Sequence, residues 1–571
     1  MVARLGVTTI ASDPSVRFTP PAAPWRIARD EWSSLPLTLD ARWRPWQCRQ
    51  SLHILLWIRS LDGRVLLSAP AVPMNKAAAR RGELTARFKI LDAGAYNVSV
   101  ITVQTNLSSF GGRALYHDSH NPGAVLLAAP PATLLVTDSQ ASSEVSFTSS
   151  RVALHLPTTL PTCQLFGTRG EDVLREQLNG RWIRCNAISS RFCEHHACLR
   201  DGWLFAPWGC RHKLHTAGEA HLIATKAQRR RQRPLWIVFM GSSIIRGAFH
   251  SLVDVLAAKE VAPLFANALS SSPGVGSTTK CWGWSDVRIS NALRLSFQDF
   301  RLAHYVTDAS NATRLLPAIV RLTQLLKEGP DLIVMESFEH IRYSDPGTFG
   351  KVIAGLELAL RSRSADEWRG RLVLTAAKES AATFGMEGGY CDYPESGEDF
   401  VSSSSKAFEA LMRRLRPEMR SRLAYWNEDE MAWPMFFDME APLKAKGGEL
   451  TVHWHRYNLW RGQSGSTNSH RGVAGIVSEM SAQIYLSALI AEAGDAEQLQ
   501  SNATSAHHHH HHHHDEHPKL IEVCNECPLK ACCPWQAPIE RPAHSLSRAA
   551  ESLQWLRLEE LGLAGCGRTN S

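Results

Sequence analysis

Short apolar runs with period-two alternation crowd the first quarter of the chain: LHILLWI (52–58), GRVLLSA (63–69), ELTARFKI (83–90), AYNVSVITV (95–103) and ATLLVTD (132–138). Alternation of this kind, bounded by turn residues, predicts half-buried β-strands. Five such runs with almost no helical spacing predict an antiparallel β-sandwich of immunoglobulin-like type over residues 36–150. Tyr96 stands where a late strand of that sandwich would begin.

The texture changes at residue 234. PLWIVFM (234–240), DLIVME (331–336), GRLVLTAA (370–377) and SRLAYWN (421–427) are continuous apolar runs, separated by helical stretches such as ATRLLPAIVRLTQLLKE (312–328). Strands that are apolar on both faces and alternate with helices predict a parallel sheet covered on each side, an α/β unit over residues 234–492. Such sheets place their sites at the carboxyl ends of the strands. Ser242–Ser243, Glu336–His340 and Ala377–Glu379 all fall there. Residues 160–233, rich in Cys, Trp and Arg with little periodicity, read as a connecting segment held by cross-links. Within residues 493–571, the His507–His514 tract reads as a low-complexity flexible linker leading to a Cys-containing tail.

Composition narrows the class. At 571 residues the chain exceeds a single core and predicts two or three domains. A net charge of +7 at this size carries no signal for nucleic acid. The basic run Lys226–Arg233 reads as a solvated interdomain segment, with anion or polysaccharide contact as the sharper alternative. No apolar run approaches a membrane span, and MVARLGVTTIASDPSVRF has no signal-peptide core. Glycosylation sequons nevertheless stand at Asn97, Asn106, Asn311 and Asn502. Five of the 13 cysteines, Cys163, Cys185, Cys193, Cys198 and Cys210, cluster in a way that suits disulfides in an oxidising compartment. Cys524, Cys527, Cys532 and Cys533 lack the repeated spacing of a zinc ribbon, so neither a metal nor another cofactor is expected.

The sharpest chemical signal is GSSIIRG, Gly241–Gly247, directly after the apolar run 235–240. A small residue lets a strand turn sharply into a helix, and the helix N-terminus then offers N–H groups where negative charge would develop on an attacked carbonyl. The spacing of Ile244, Ile245, Phe249, Leu252, Val253 and Leu256 predicts that helix. Ser243 becomes a candidate nucleophile, and a nucleophilic serine needs a base nearby in space. Two histidine groups compete: His453 and His455 in HWHR, and His470, just ahead of the helical run that begins after Gly475.

A serine after the first strand, a histidine before the last helix and strand-helix alternation between them resemble the SGNH or GDSL hydrolase superfamily. More narrowly, they resemble its PC-esterase branch, which includes neurexophilin-and-PC-esterase proteins, trichome-birefringence-like polysaccharide O-acetyltransferases and the luminal domain of sialate O-acetyltransferases. GSSIIRG is similar to that family's GDSxxR block, with Ser243 in the nucleophile place and Arg246 in that of the arginine. Cys163, the GRW of Gly180–Trp182, and Trp203, Pro207 and Cys210 are similar to the segment that precedes the block. The resemblance covers roughly residues 36–492. It implies a three-layer α/β fold behind the sandwich, His470 as base by its HxxxxG spacing, with His455 or His453 as the rival, and an oxyanion hole from the N–H of Ser243 with Gly283. His340 is the guess for a third donor. Trp282 and Trp284 stand ready to stack on a sugar or to pack in a core. Two positions depart from the pattern: Ser242 replaces the block's Asp, and Thr467 stands where DxxH would have its acid. Asp438 or Asp429 are the candidate replacements.

The expected function is that of a carbohydrate O-acyl, in particular O-acetyl, esterase or acyltransferase acting in the secretory lumen or outside the cell. Its partner is a carbohydrate or glycoconjugate, with the acyl donor unspecified. The alternative is a catalytically inactive carbohydrate- or protein-binding member of the same fold, favoured by Ser242 and Thr467. A nucleotide-binding enzyme is disfavoured, because no GxGxxG or Walker loop comes after the first strand.

Overall fold

The computed structural model describes residues 16–17, 25–39, 52–104, 125–127, 132–138, 152–155, 160–166, 179–185, 199, 202–241, 243–257, 284–299, 322–336, 346–376, 403–428, 431–432, 434–435, 457–458, 473–474, 476–493 and 522–524. They form a mixed α/β protein with two large sheets.

The first sheet is built from β1 (Val16–Arg17), β2 (Trp25–Ala28), β3 (Ser33–Leu39), β4 (Leu52–Ser60), β5 (Val65–Val72), β6 (Glu83–Phe88), β7 (Gly94–Gln104), β8 (Val125–Leu127), β9 (Ala132–Thr137), β10 (Gly180–Arg184) and β11 (Trp203–Pro207). A short helix, α1 (Lys76–Arg81), links β5 to β6. The order is β1-β3-β6-β5-β4-β7-β9-β2, with β8 beside β7 and β10 bridging β5 to β11. Every pairing is antiparallel except β2 with β9. Strand β5 joins three ladders, since Val65 and Leu66 pair with β10, Leu66–Pro70 with β4, and Ala71 and Val72 with β6.

Alternation along β4 decides the packing. Ile54, Leu56 and Ile58 enter an interior shared with Leu67, Leu84, Phe88, Val98 and Leu134. Their neighbours Leu55 and Trp57 face the other way and join a cluster with Trp182, Phe205, Trp426, Met431 and Met435. Two indoles fix that second contact: Trp57 Nε1 donates to the Pro434 carbonyl (3.3 Å) and Trp182 Nε1 to that of Met431 (2.7 Å). The outer face of the first sheet is therefore dry and bound to the backbone just beyond the last parallel strand of the second.

A buried ion pair closes the first sheet. Arg181 of β10 donates through Nε and Nη2 to Asp92, and Asp92 also accepts from the His155 amide at 2.7 Å. The guanidinium lies over Trp208, 5.1 Å from the ring centroid. Next to this pair Tyr96 is buried and donates to the Asp92 carbonyl at 2.7 Å. Burial, with the Asp92 charge beside it, holds its phenol well above the ordinary range. A disulfide joins Cys163 to Cys210.

Helix α2 (Ala217–Arg231) leads into the second unit and begins with a capping box, in which Glu219 N donates to Thr216 Oγ1 and Thr216 N to Glu219 Oε2. The basic run ends this helix. Arg231 and Arg233 both engage Asp331, at 2.5 and 2.7 Å, and Asp331 also accepts from the Trp236 amide. These two arginines thus serve the amino-terminal edge of the second sheet.

The second unit continues with β12 (Leu235–Gly241), α3 (Ser243–Ala257), β13 (Trp284–Ser290), β14 (Leu293–Asp299), β15 (Leu332–Glu336), α4 (Pro346–Leu360), α5 (Arg363–Glu367), β16 (Arg371–Ala376), α6 (Ser403–Arg414), α7 (Pro417–Arg420), β17 (Leu423–Asn427), β18 (Tyr457–Asn458), β19 (Val473–Ala474), α8 (Ile476–Ala493) and β20 (Glu522–Cys524), with β18 and β19 pairing apart from its main sheet. The order is β17-β16-β15-β12-β14-β13-β20. The five strands from β17 to β14 are parallel; β13 and β20 run antiparallel at the edge. Residues 522–524, beyond the histidine tract, thus extend this sheet.

All seven residues of β12 are buried. Leu235, Ile237 and Phe239 pack with α2, α3 and α8 on one face. Trp236, Val238 and Met240 pack with 322–326, α4 and α6 on the other. No helix among the described residues is long and apolar enough to cross a membrane.

Truncating Asp92 to Ala strands a guanidinium in the interior of the first sheet. The expected cost is about 3–5 kcal/mol of unfolding free energy, read by chemical denaturation. An unchanged midpoint would show that the pair is not needed.

Candidate active site at the carboxyl end of the second sheet

Chain order and spatial order part company beside β12. From β12 the chain moves to β14 on one side, then crosses to β15 on the other and continues outward through β16 and β17. Connections that leave in opposite directions mark a topological switch point, where sheets of this kind bind ligands, here at the carboxyl ends of β12 and β15. The residues that border it are the last of β12, the first of α3 and the last of β15.

Gly241 is the last residue of β12, and Ser243 is the first of α3. The helix starts there because its apolar side has a surface to meet. Ile245, Ala248, Phe249, Leu252, Val253 and Leu256 are all buried, and Phe249 sits 5.9 Å from Phe239 of β12 and 5.7 Å from Phe297 of β14, centroid to centroid. The backbone N–H groups of the first turn have no intrahelical acceptor, so the start of α3 offers donors toward negative charge.

Gly241 fits where a larger residue does not. A Cβ on it would lie 2.7 Å from Cβ and Oε2 of Glu336 and 2.8 Å from Cγ1 of Ile245. Glu336 ends β15, is 2% exposed, and stands one residue beyond the Met240–Met335 register pair, level with Gly241. A buried carboxylate therefore lies against the strand-to-helix turn. The sequence places Glu336 at a strand end without giving it a role. The available signal is a charged residue closing an otherwise apolar strand, level with a neighbouring strand that closes on glycine.

A second buried carboxylate comes just after β17. Glu428 is 1% exposed and accepts from Tyr485 Oη of α8 at 3.1 Å. It lies beside Asp429, one of the acids expected from sequence.

Ser242, Gly283, His340, Asp429, Asp438, His453, His455, Thr467 and His470 lie outside the described residues, as does the hydroxyl of Ser243. Trp284 begins β13, and Arg246 is half-buried in the first turn of α3. The two histidine-bearing segments are nonetheless linked through the short strands next to them. Two residues after His455 the chain forms β18, and three after His470 it forms β19. These pair antiparallel, Tyr457 with Ala474 and Asn458 with Val473, and β19 packs on α3. The chain enters β18 at the end where β19 runs on toward α8, and enters β19 at the other. The two short strands that flank these segments in sequence thus form a ladder beside α3, the helix that Ser243 begins.

Burial lowers the pKa of four described histidines. Burial lowers His212 to about 3 and His215 to about 4, and it also lowers His221. His250 is lowered to about 3 by burial and then by the Arg246 charge. It lies seven residues beyond Ser243, about 10 Å along the axis, out of reach of direct proton transfer. Among the described residues no group of three His, Cys, Asp or Glu side chains is arranged to hold a metal ion.

No protein-family model and no curated protein matches this chain. The candidate site therefore rests on its geometry and on the sequence motifs.

The buried histidines set an acid limit on stability. Their folded pKa values lie below the unfolded 6.5. Stability is thus fully present above pH 6.5, and it falls as pH drops from there toward about 3 while the unfolded chain takes up protons that the folded chain refuses. Each such histidine adds a slope of about 1.4 kcal/mol per pH unit inside that window. His250→Gln is expected to flatten the dependence in urea melts from pH 7 to 4; an unchanged slope would show that His250 does not contribute.

Proposed function

We infer that the protein is a serine-dependent O-acyl esterase or acyltransferase of carbohydrates, with acetyl as the group transferred. One observation carries this reading. Ser243 is the first residue of the helix that comes after the central strand of the sheet, at the point where the sheet's connections diverge.

On this reading the Ser243 hydroxyl attacks the carbonyl carbon of a sugar ester while His470, or His455 or His453 in its place, takes the proton. The negative charge that develops on the carbonyl oxygen meets the N–H groups at the start of α3, with Gly283 and His340 as further donors. Collapse breaks the bond to the sugar oxygen, which receives the proton from the imidazolium, and leaves an acyl-serine. Water resolves that intermediate in an esterase; a second sugar hydroxyl resolves it in a transferase.

Several features favour the SGNH-like, PC-esterase-like version of this reading. The parallel sheet with helices on both faces is what its three-layer architecture requires. An immunoglobulin-like first domain agrees with the antiparallel ladders around one interior and with a buried tyrosine whose hydroxyl binds the backbone four residues upstream. The Cys163–Cys210 bridge falls in the segment likened to the family's cysteine-rich region, and it favours the secretory lumen or the cell exterior.

The reading predicts hydrolysis of p-nitrophenyl acetate, lost by about three orders of magnitude or more in Ser243→Ala. A comparable loss in only one of His470→Ala, His455→Ala and His453→Ala identifies the base. Equal turnover by wild type and Ser243→Ala would sink the assignment.

A further inference from the structure

The block that GSSIIRG resembles has an acid immediately before its serine, and Ser242 carries no charge. We propose that Glu336, reaching across from the neighbouring strand, is the positioning residue that supplies a carboxylate to this turn. The proposal rests on the reading of Ser243 as nucleophile.

Three observations converge on Glu336. Its backbone stands level with Gly241 in the parallel β12–β15 ladder. Its side chain folds over Gly241, so that Oε2 and Cβ fill the volume a Cβ of residue 241 would need, beside Cγ1 of Ile245 in the first turn of α3. It is almost wholly buried. A carboxylate in that setting is costly unless donors and positive charge surround it. The start of α3 provides both, since its first-turn N–H groups lack intrahelical acceptors and the helix dipole is positive there. The glycine that closes β12 is thus explained by the carboxylate it admits.

The function is set by the placement. Fixed against Gly241 and Ile245, Glu336 holds the turn that presents Ser243 in one conformation. Its negative charge, held against the glycine that leads into this turn, also stabilises the imidazolium formed when the base takes the serine proton. An acid in a triad acts in the same way, by orienting and by charge rather than by taking the proton itself. Glu336 touches neither substrate nor reacting atoms in this role.

The test is the rate at which a fluorophosphonate labels the intact chain, measured from pH 5 to 9 in wild type, Glu336→Gln, Glu336→Asp and Ser243→Ala. Glu336→Gln keeps the shape and removes the charge. It is expected to slow labelling by about 10²-fold, the scale of losing one preorganised electrostatic contact. The acidic limb of its pH profile is expected to move to lower pH by about half a unit or more, because the base loses a stabilising charge. Glu336→Asp is expected to restore the position of that limb. If Glu336→Gln does not fold, Gly241→Ala serves in its place: its methyl group displaces the carboxylate, and the same shift of the limb is expected.

Labelling at the wild-type rate, or a slower rate with the limb unmoved, would overturn the role given to Glu336 and leave the nucleophile standing. No labelling of wild type above Ser243→Ala would remove the nucleophile and this role with it.

Discussion

The burial of β12 on both faces is the constraint on which the candidate site depends. A strand with no solvent-facing side has no polar residue until its end, and here the end is a glycine pressed against the carboxylate of the next strand. The chain leaves the sheet at that point because α3 must lay Ile245, Phe249 and Leu252 back on the face that Ile237 and Phe239 present. The helix N-terminus is thereby set at the carboxyl end of the central strand. What makes Ser243 chemically interesting is the outcome of that packing.

The first sheet shares in the arrangement through its outer face. Leu55 and Trp57 alternate with the residues of its own interior, and the second unit covers them. The two indole donors end on carbonyls of Met431 and Pro434, just beyond β17 and Glu428. That backbone leads on toward the segments that carry His453, His455 and His470. The sheet of the first unit is therefore a wall against which the backbone just beyond the last parallel strand is fixed.

How much could be read from the sequence depends on the range of the forces involved. The runs at 235–240, 332–336, 371–376 and 423–427 are plain because burial on both faces leaves them almost wholly apolar, with polar residues mainly at their ends. Strands β10 and β11 are hidden because their largest buried side chains are Trp and Arg. Arg181 is interior only because Asp92, far away in sequence, meets it. Likewise β13 and β14 hide behind Asp286 and Arg294, which neutralise each other at 2.7 Å with Ser296 and Trp236 completing the network. Helix α2 has a legible start in Thr216 and Glu219, whereas its end, rich in arginine, resembles a linker until Asp331 gives it a partner. Glu336 illustrates the remaining limit: its proximity to Gly241 depends on strand order, which hydrophobic patterning does not encode.

The central claim is that Ser243, at the start of α3, is a nucleophile. Mass spectrometry of the full-length chain after reaction with a fluorophosphonate tests it most directly. One adduct is predicted, on the peptide containing Gly241–Gly247 and at Ser243. A chain that acquires no adduct, or acquires it on another residue, contradicts the claim.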